Sequence, residues 1–256
     1  MSSSKVIEKA ADFAIRWTIG LQKANAFATF IPKNACSTLR FSAAIFNGFI
    51  ADASEIGWIH NNNMAFNIDL DMVAGAGYSF VFLRSPYSRL RSVFLDKFIG
   101  ELPSSLAFIR KIGDGSSVEK ITFSRFIRYL ATDSTILRLN PHWRPQSDFL
   151  ILHKYSRYFA VEEMDVAVEI LSNQLNFDLV DTRHLLNHST NRFSEATVEN
   201  AWDMPVQELR RIRAEEGIIP DLESLFSEEL KRVVSRTYAE DFAVYEREIG
   251  LNLTLT

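Results

Sequence analysis

The chain has a single cysteine, Cys36. An intrachain disulfide is therefore excluded, and so is a cysteine-based metal cluster. No stretch approaches the roughly 18 apolar residues that a membrane span requires. The amino-terminal segment does not read as a secretion signal: Val6, Ala10, Phe13 and Trp17 recur at helical spacing, but Glu8, Asp12 and Arg16 interrupt any apolar core. Basic charge is not in excess either. Lys plus Arg number 28 against 32 Asp plus Glu, a net charge of -4, which disfavours a general nucleic-acid binder. A small anionic ligand needs only a local basic pocket, and this balance does not oppose one. The expectation is a soluble, cytoplasmic protein with no nucleic-acid partner and no membrane span.

Several catalytic signatures are missing as well. The glycine-rich Walker A order is absent, which disfavours a nucleoside-triphosphate hydrolase. There is no G-x-S-x-G elbow for a serine hydrolase. Of the histidines, His60, His153, His184 and His188 show no metal-ligand pattern; the last two lie four apart but lack the adjacent glutamate of a zinc helix. No metal is expected. Repeats and low-complexity tracts are absent, and nothing in the sequence sets the oligomeric state.

What is present is an ordinary globular composition, 47% hydrophobic and 23% charged over 256 residues, enough for one domain spanning 1–256 with a well-filled core. An amphipathic helix is predicted over about 5–21. The β-rich run Ala26–Ile31 follows, then a helix over 37–49. Tyr78–Leu83 is almost wholly apolar, the pattern of a strand covered on both faces. A helix follows Pro86, Gly113–Ser117 reads as a flexible break, and Phe123–Ala131 as another helix. A strand is expected at Phe149–Leu152, with helices at 160–175, 198–213 and 222–242. Strands alternating with helices point to an α/β fold with a mainly parallel sheet, whose ligands sit at the carboxyl ends of the strands.

Two turns fall at such strand ends. The first is Pro32-Lys33-Asn34-Ala35-Cys36-Ser37-Thr38, and the second runs from Arg84 through Pro86 to Ser92. In the first, backbone N–H groups and the hydroxyls of Ser37 and Thr38 suit an oxyanion, with Lys33 supplying charge. In the second, Arg84 suits a bidentate grip on phosphate, and Ser92 adds a hydroxyl from the next helix. Each turn alone also fits an ordinary strand-to-helix junction, and Arg89 and Arg91 fit a solvated or ion-paired helix face. Two such turns together suggest a ligand with two separate phosphates. Cys36, beside a Lys and a helix start, fits either an acidified thiol or simply a small residue that lets backbone approach a ligand.

His142 stands between Pro141 and Pro145, beside Trp143 and Arg144. A stiff loop can hold a general base against a hydroxyl, although a packed loop histidine is the plainer reading.

These segments, with His142-Trp143-Arg144-Pro145-Gln146-Ser147-Asp148, resemble sulfotransferase family 2, the carbohydrate sulfotransferases of the chondroitin and HNK-1 type. Weaker agreement follows at Phe159-Ala160-Val161-Glu162-Glu163 and Tyr238-Ala239-Glu240-Asp241-Phe242. The resemblance implies a P-loop-like three-layer α/β fold, with a central mainly parallel sheet flanked by helices. It also implies 3′-phosphoadenosine 5′-phosphosulfate (PAPS) as the sulfonyl donor. By that resemblance Lys33, with Asn34, Ala35, Cys36, Ser37 and Thr38, holds the 5′-phosphosulfate. Arg84 and Ser92 hold the 3′-phosphate, and Lys33 and His142 are the catalytic pair. Trp143, Arg144 and Gln146 would meet a carbohydrate or other hydroxyl-bearing acceptor. Ala35 stands where relatives often have Gly. The cysteine-rich portion and amino-terminal anchor of Golgi members are missing, so a soluble, bacterial-like member is expected. The alternatives are an ATP-using, kinase-like transferase and a non-catalytic nucleotide-binding protein on the same scaffold.

Overall fold

The structure, a computed structural model, describes residues 11–100, 103–185 and 192–250. In chain order its main elements are β1 (Thr18–Leu21), β2 (Ala26–Thr29), α1 (Cys36–Asn47), β3 (Tyr78–Leu83), α2 (Pro86–Phe94), α3 (Pro103–Ile112), α4 (Phe123–Thr132), β4 (Arg157–Ala160), α5 (Met164–Leu175), β5 (Ser194–Ala196), α6 (Val206–Glu216), β6 (Ile218–Pro220), α7 (Glu228–Thr237) and α8 (Ala239–Ile249). The described residues divide into two compact units, one from 11–84, 146–185 and 247–250, the other from 85–100, 103–145 and 192–246.

The first unit is built on a four-stranded sheet in the order β1-β2-β3-β4. β1 runs antiparallel to β2, joined through Asn25 at φ 45°, a left-handed position that asparagine tolerates. β2, β3 and β4 are mutually parallel, with Ala26 opposite Tyr78 and Phe80 opposite Arg157. Along β3, Phe80 and Phe82 enter one buried cluster with Phe41, Ala43 and Ala44 of α1, Phe159 of β4, and Ala167 and Leu171 of α5. Val81 and Leu83, on the opposite face, are buried too. Two covered faces explain why this strand reads as an unbroken apolar run. The expected α/β fold, a mainly parallel sheet flanked by helices, is what the structure shows.

Two expectations about element position fail here. The chain is helical only at 11–15 and then becomes β1, so the helix over 5–21 does not hold in its described part. The Thr18 hydroxyl donates to Ile15 O at 2.6 Å and closes that turn. Phe149 belongs to a 3-10 turn, Gln146–Phe149, rather than a strand. Its ring packs edge-on against Phe13 and Trp17 at 5.1 and 5.0 Å, and the strand comes later, at Arg157–Ala160.

The second unit is mostly helical around an aromatic core. Phe94, Phe98, Phe108, Phe123, Phe126 and Trp143 are all fully buried. Phe98 and Phe126 lie 4.9 Å apart, and Phe108 meets Trp143 edge-on at 5.9 Å, the tilted contacts that ring quadrupoles favour. α2 continues through a π-helical turn, Leu95–Ile99. The helix expected at 198–213 starts instead at Val206, immediately after Pro205, which supplies a fixed φ but no N–H. The stretch expected as one helix over 222–242 is split. Ser227 caps α7 by accepting from Leu230 N–H, and Tyr238 separates α7 from α8. The 113–117 segment is tied down: Asp114 accepts from Tyr129 OH, Ser116 N–H and Arg125, and the hydrogen bonds from Tyr129 and Ser116 lower its carboxyl pKa to about 2.

Candidate functional site

β2 ends at Thr29, and the chain turns through Asn34 N–H donating to Ile31 O at 3.0 Å. Lys33 and Ala35 then take left-handed backbone angles, φ 73° and 52°. Two such residues within three positions swing the chain into α1, whose first intrahelical bond runs from Leu39 N–H to Ala35 O at 3.0 Å. No side chain caps α1, and its first turn holds no acidic residue. The N–H groups at the start of a helix have no intrahelical partner and carry the positive end of its dipole, so this uncapped end suits an anion. Lys33, Ala35, Cys36 and Ser37 are half-buried there. Thr38 is buried, and its hydroxyl lies 3.1 Å from that of Thr182.

The turn is held from behind. Asn34 is fully buried; its amide donates to Phe82 O at 2.8 Å and to Gln146 Oε1 at 2.5 Å. The Asn34 Oδ1 is buried without a partner among the described residues. Gln146 clamps the end of β3: Oε1 accepts Arg84 N–H at 3.1 Å, and Nε2 donates to Arg84 O at 2.8 Å. The Arg84 guanidinium in turn donates to Lys33 O at 3.0 Å. The structure thus brings Arg84 to the Lys33 carbonyl, in the turn that leads from β2 into α1.

In the second unit, Ser92 is half-buried on α2. Three positions earlier Arg89 is 1% exposed, not solvated. It donates to Arg144 O at 2.7 Å and to Pro141 O at 3.1 Å, grasping both ends of the His142 loop. Trp143 between them is fully buried, its indole N–H donating to Ile136 O at 2.9 Å. Tyr238 OH donates to Trp143 O at 2.6 Å, and burial pushes that phenol far above its ordinary range, so it stays a donor. Arg91 reaches Pro220 O and Glu195, tying α2 to the β5–β6 pair. His142 itself is half-buried, with Nδ1 2.7 Å from Asn140 Oδ1.

The expected residues are divided between the two units. Lys33, Ala35, Cys36, Ser37 and Arg84 surround the helix start, while His142, Arg144 and Ser92 are half-buried in the second unit. Trp143 and Gln146, expected to face an acceptor, are inside the protein with their polar atoms committed, because each holds a neighbouring backbone segment. The supporting roles of Arg89, Asn140, Thr182 and Tyr238 were not read from the sequence.

Among the described residues no group of His, Cys, Asp or Glu is placed to hold a metal ion, and no helix is long and apolar enough to cross a membrane. Carbohydrate sulfotransferase 14 of Danio rerio is 29% identical to this chain over 45% of its length. The match spans 36% of that relative, about a third of it. No solved structure matches the chain. The model of the sulfotransferase family covers residues 22–246, from the end of β1 to the last turns of α8. The match takes in both turns, the histidine loop and nearly all of both units, and the chain belongs to the sulfotransferase family.

Proposed function

We propose that this protein is a PAPS-dependent sulfotransferase acting on a hydroxyl of a carbohydrate or related acceptor. The observation that carries the reading is the uncapped start of α1, entered through two left-handed residues, with the Arg84 guanidinium bound to the Lys33 carbonyl. Such an end offers N–H donors, a cation and a first helical turn without acidic residues, which fits a phosphosulfate.

PAPS would supply the sulfonyl group, whose bond to the 5′-phosphate oxygen breaks as a bond to the acceptor oxygen forms. Lys33, the α1 amides and the Ser37 and Thr38 hydroxyls bind the 5′ end and stabilise the charge left on its oxygens. A placed donor of this kind contributes about 3–4 kcal/mol. Arg84 serves the 3′-phosphate, joined by Ser92 on the strength of the family resemblance. His142 takes the acceptor proton, and half-buried Arg144 remains an acceptor contact. Asn34, Gln146 and Trp143 are framework. They keep the turn and the loop in shape.

The test is transfer of label from PAPS to a panel of glycans and small hydroxyl compounds, run in EDTA. The wild-type protein is expected to label at least one acceptor without added metal, and His142→Ala to lose about 10²–10⁴-fold in rate. Strict Mg²⁺ dependence contradicts the mechanism, and wild-type rates in His142→Ala remove the base assignment.

A further inference from the structure

An imidazole that works as a base needs one nitrogen unprotonated and the other carrying hydrogen. The group bound to the second nitrogen therefore decides which nitrogen works. In this chain that group is Asn140. Its Oδ1 accepts the backbone N–H of His142 at 3.0 Å and lies 2.7 Å from Nδ1 of the same residue. A backbone N–H can only donate, so the Asn140 atom facing it is the amide oxygen and not the nitrogen. An oxygen cannot donate to Nδ1, so in the neutral ring Nδ1 bears the hydrogen and Nε2 the lone pair.

The span is short, two residues, and its frame is rigid. Arg89 fixes the carbonyls of Pro141 and Arg144, Tyr238 fixes that of Trp143, and the Trp143 ring is sealed in the core. Backbone held on both sides of His142 keeps Asn140 Oδ1 within reach of both donors at once. We infer that Asn140 is a positioning residue that locks neutral His142 in its Nδ1–H form and so assigns proton abstraction to Nε2. Its catalytic consequence rests on the reading of His142 as the acceptor's base; the lock itself does not. An Asx turn with no role beyond the backbone would leave the ring's tautomer unselected.

Long-range ¹H–¹⁵N correlation spectra of the ¹⁵N-labelled full chain, recorded where His142 is neutral and assigned against His142→Gln, read the two nitrogens directly. The wild-type protein is expected to show a protonated Nδ1 and an unprotonated Nε2. Asn140→Asp keeps an acceptor in place and is expected to keep that pattern. Asn140→Ala is expected to shift the ring toward the Nε2–H form and to lower kcat by about 10–100-fold, the scale seen when the partner orienting a metal-bound histidine is removed, with little change in acceptor KM. A wild-type ring protonated at Nε2, or an Asn140→Ala ring that keeps the wild-type pattern, overturns the lock. If the spectra show the lock but His142→Ala transfers sulfonate at the wild-type rate, the base assignment alone falls. Should Asn140→Ala fail to fold, the wild-type and Asn140→Asp spectra still decide.

Discussion

The turn after β2 and the loop around His142 hold their chemistry in opposite ways. In the turn the proposed binding groups are largely backbone: the amides at the start of α1, which has no side-chain cap and is entered through left-handed angles at Lys33 and Ala35. The side chains behind it, Asn34 and Gln146, are buried and occupied elsewhere. Binding and stability are thus divided between different residues. In the loop the proposed base is one side chain, His142, and the backbone under it is held by buried side chains, Arg89, Trp143 and Tyr238. There the proposed base depends on the core. The turn should tolerate loss of its charged residue without unfolding, whereas the loop should not tolerate loss of its anchor.

The sharpest way to break this contrast is to compare Trp143→Ala with Lys33→Ala in denaturant unfolding. Removing a fully buried Trp side chain is expected to cost about 3–5 kcal/mol. Lys33 is half-buried and lies outside the packed core, so its truncation is expected to fall within about 0.5 kcal/mol. Equal losses would mean that the two regions are not built differently. A smaller effect, of the opposite sign, is expected at Ala35. An alanine at φ 52° carries strain that glycine does not, offset in part by glycine's greater freedom when unfolded. Ala35→Gly is expected to stabilise the protein by about 1 kcal/mol or less. A clear destabilisation in the same assay would show that the turn is not strained.

The local features were legible in the sequence. Tyr78–Leu83 announced a doubly covered strand by its apolar run, and the Lys33–Thr38 turn and α1 by their residue types. β4 was not. Its four residues begin with exposed Arg157 on an edge strand, whereas Phe149–Leu152 is more apolar and drew the strand assignment to itself. Phe149 is apolar because it packs on Phe13 and Trp17, a contact no local pattern records. The support of the His142 loop was hidden for the same reason. Arg89 and Tyr238 meet it from 52 and 95 residues away, so the two prolines were the only visible sign of its rigidity. Trp143 and Gln146 misled because an aromatic and an amide beside a histidine look like a sugar-binding set, and only burial shows that they face inward.

In the function proposed above, the turn at Lys33, with Arg84 bound to its carbonyl, receives a nucleotide phosphorylated at both the 3′ and 5′ positions. Calorimetric titration of the full chain with 3′-phosphoadenosine 5′-phosphate, AMP and ATP tests it directly. Tightest binding is expected for the 3′,5′-bisphosphate, weakened by Lys33→Ala while the fold is retained. Tighter binding of AMP or ATP, or a Lys33→Ala protein that binds the bisphosphate as well as the wild type, would contradict it.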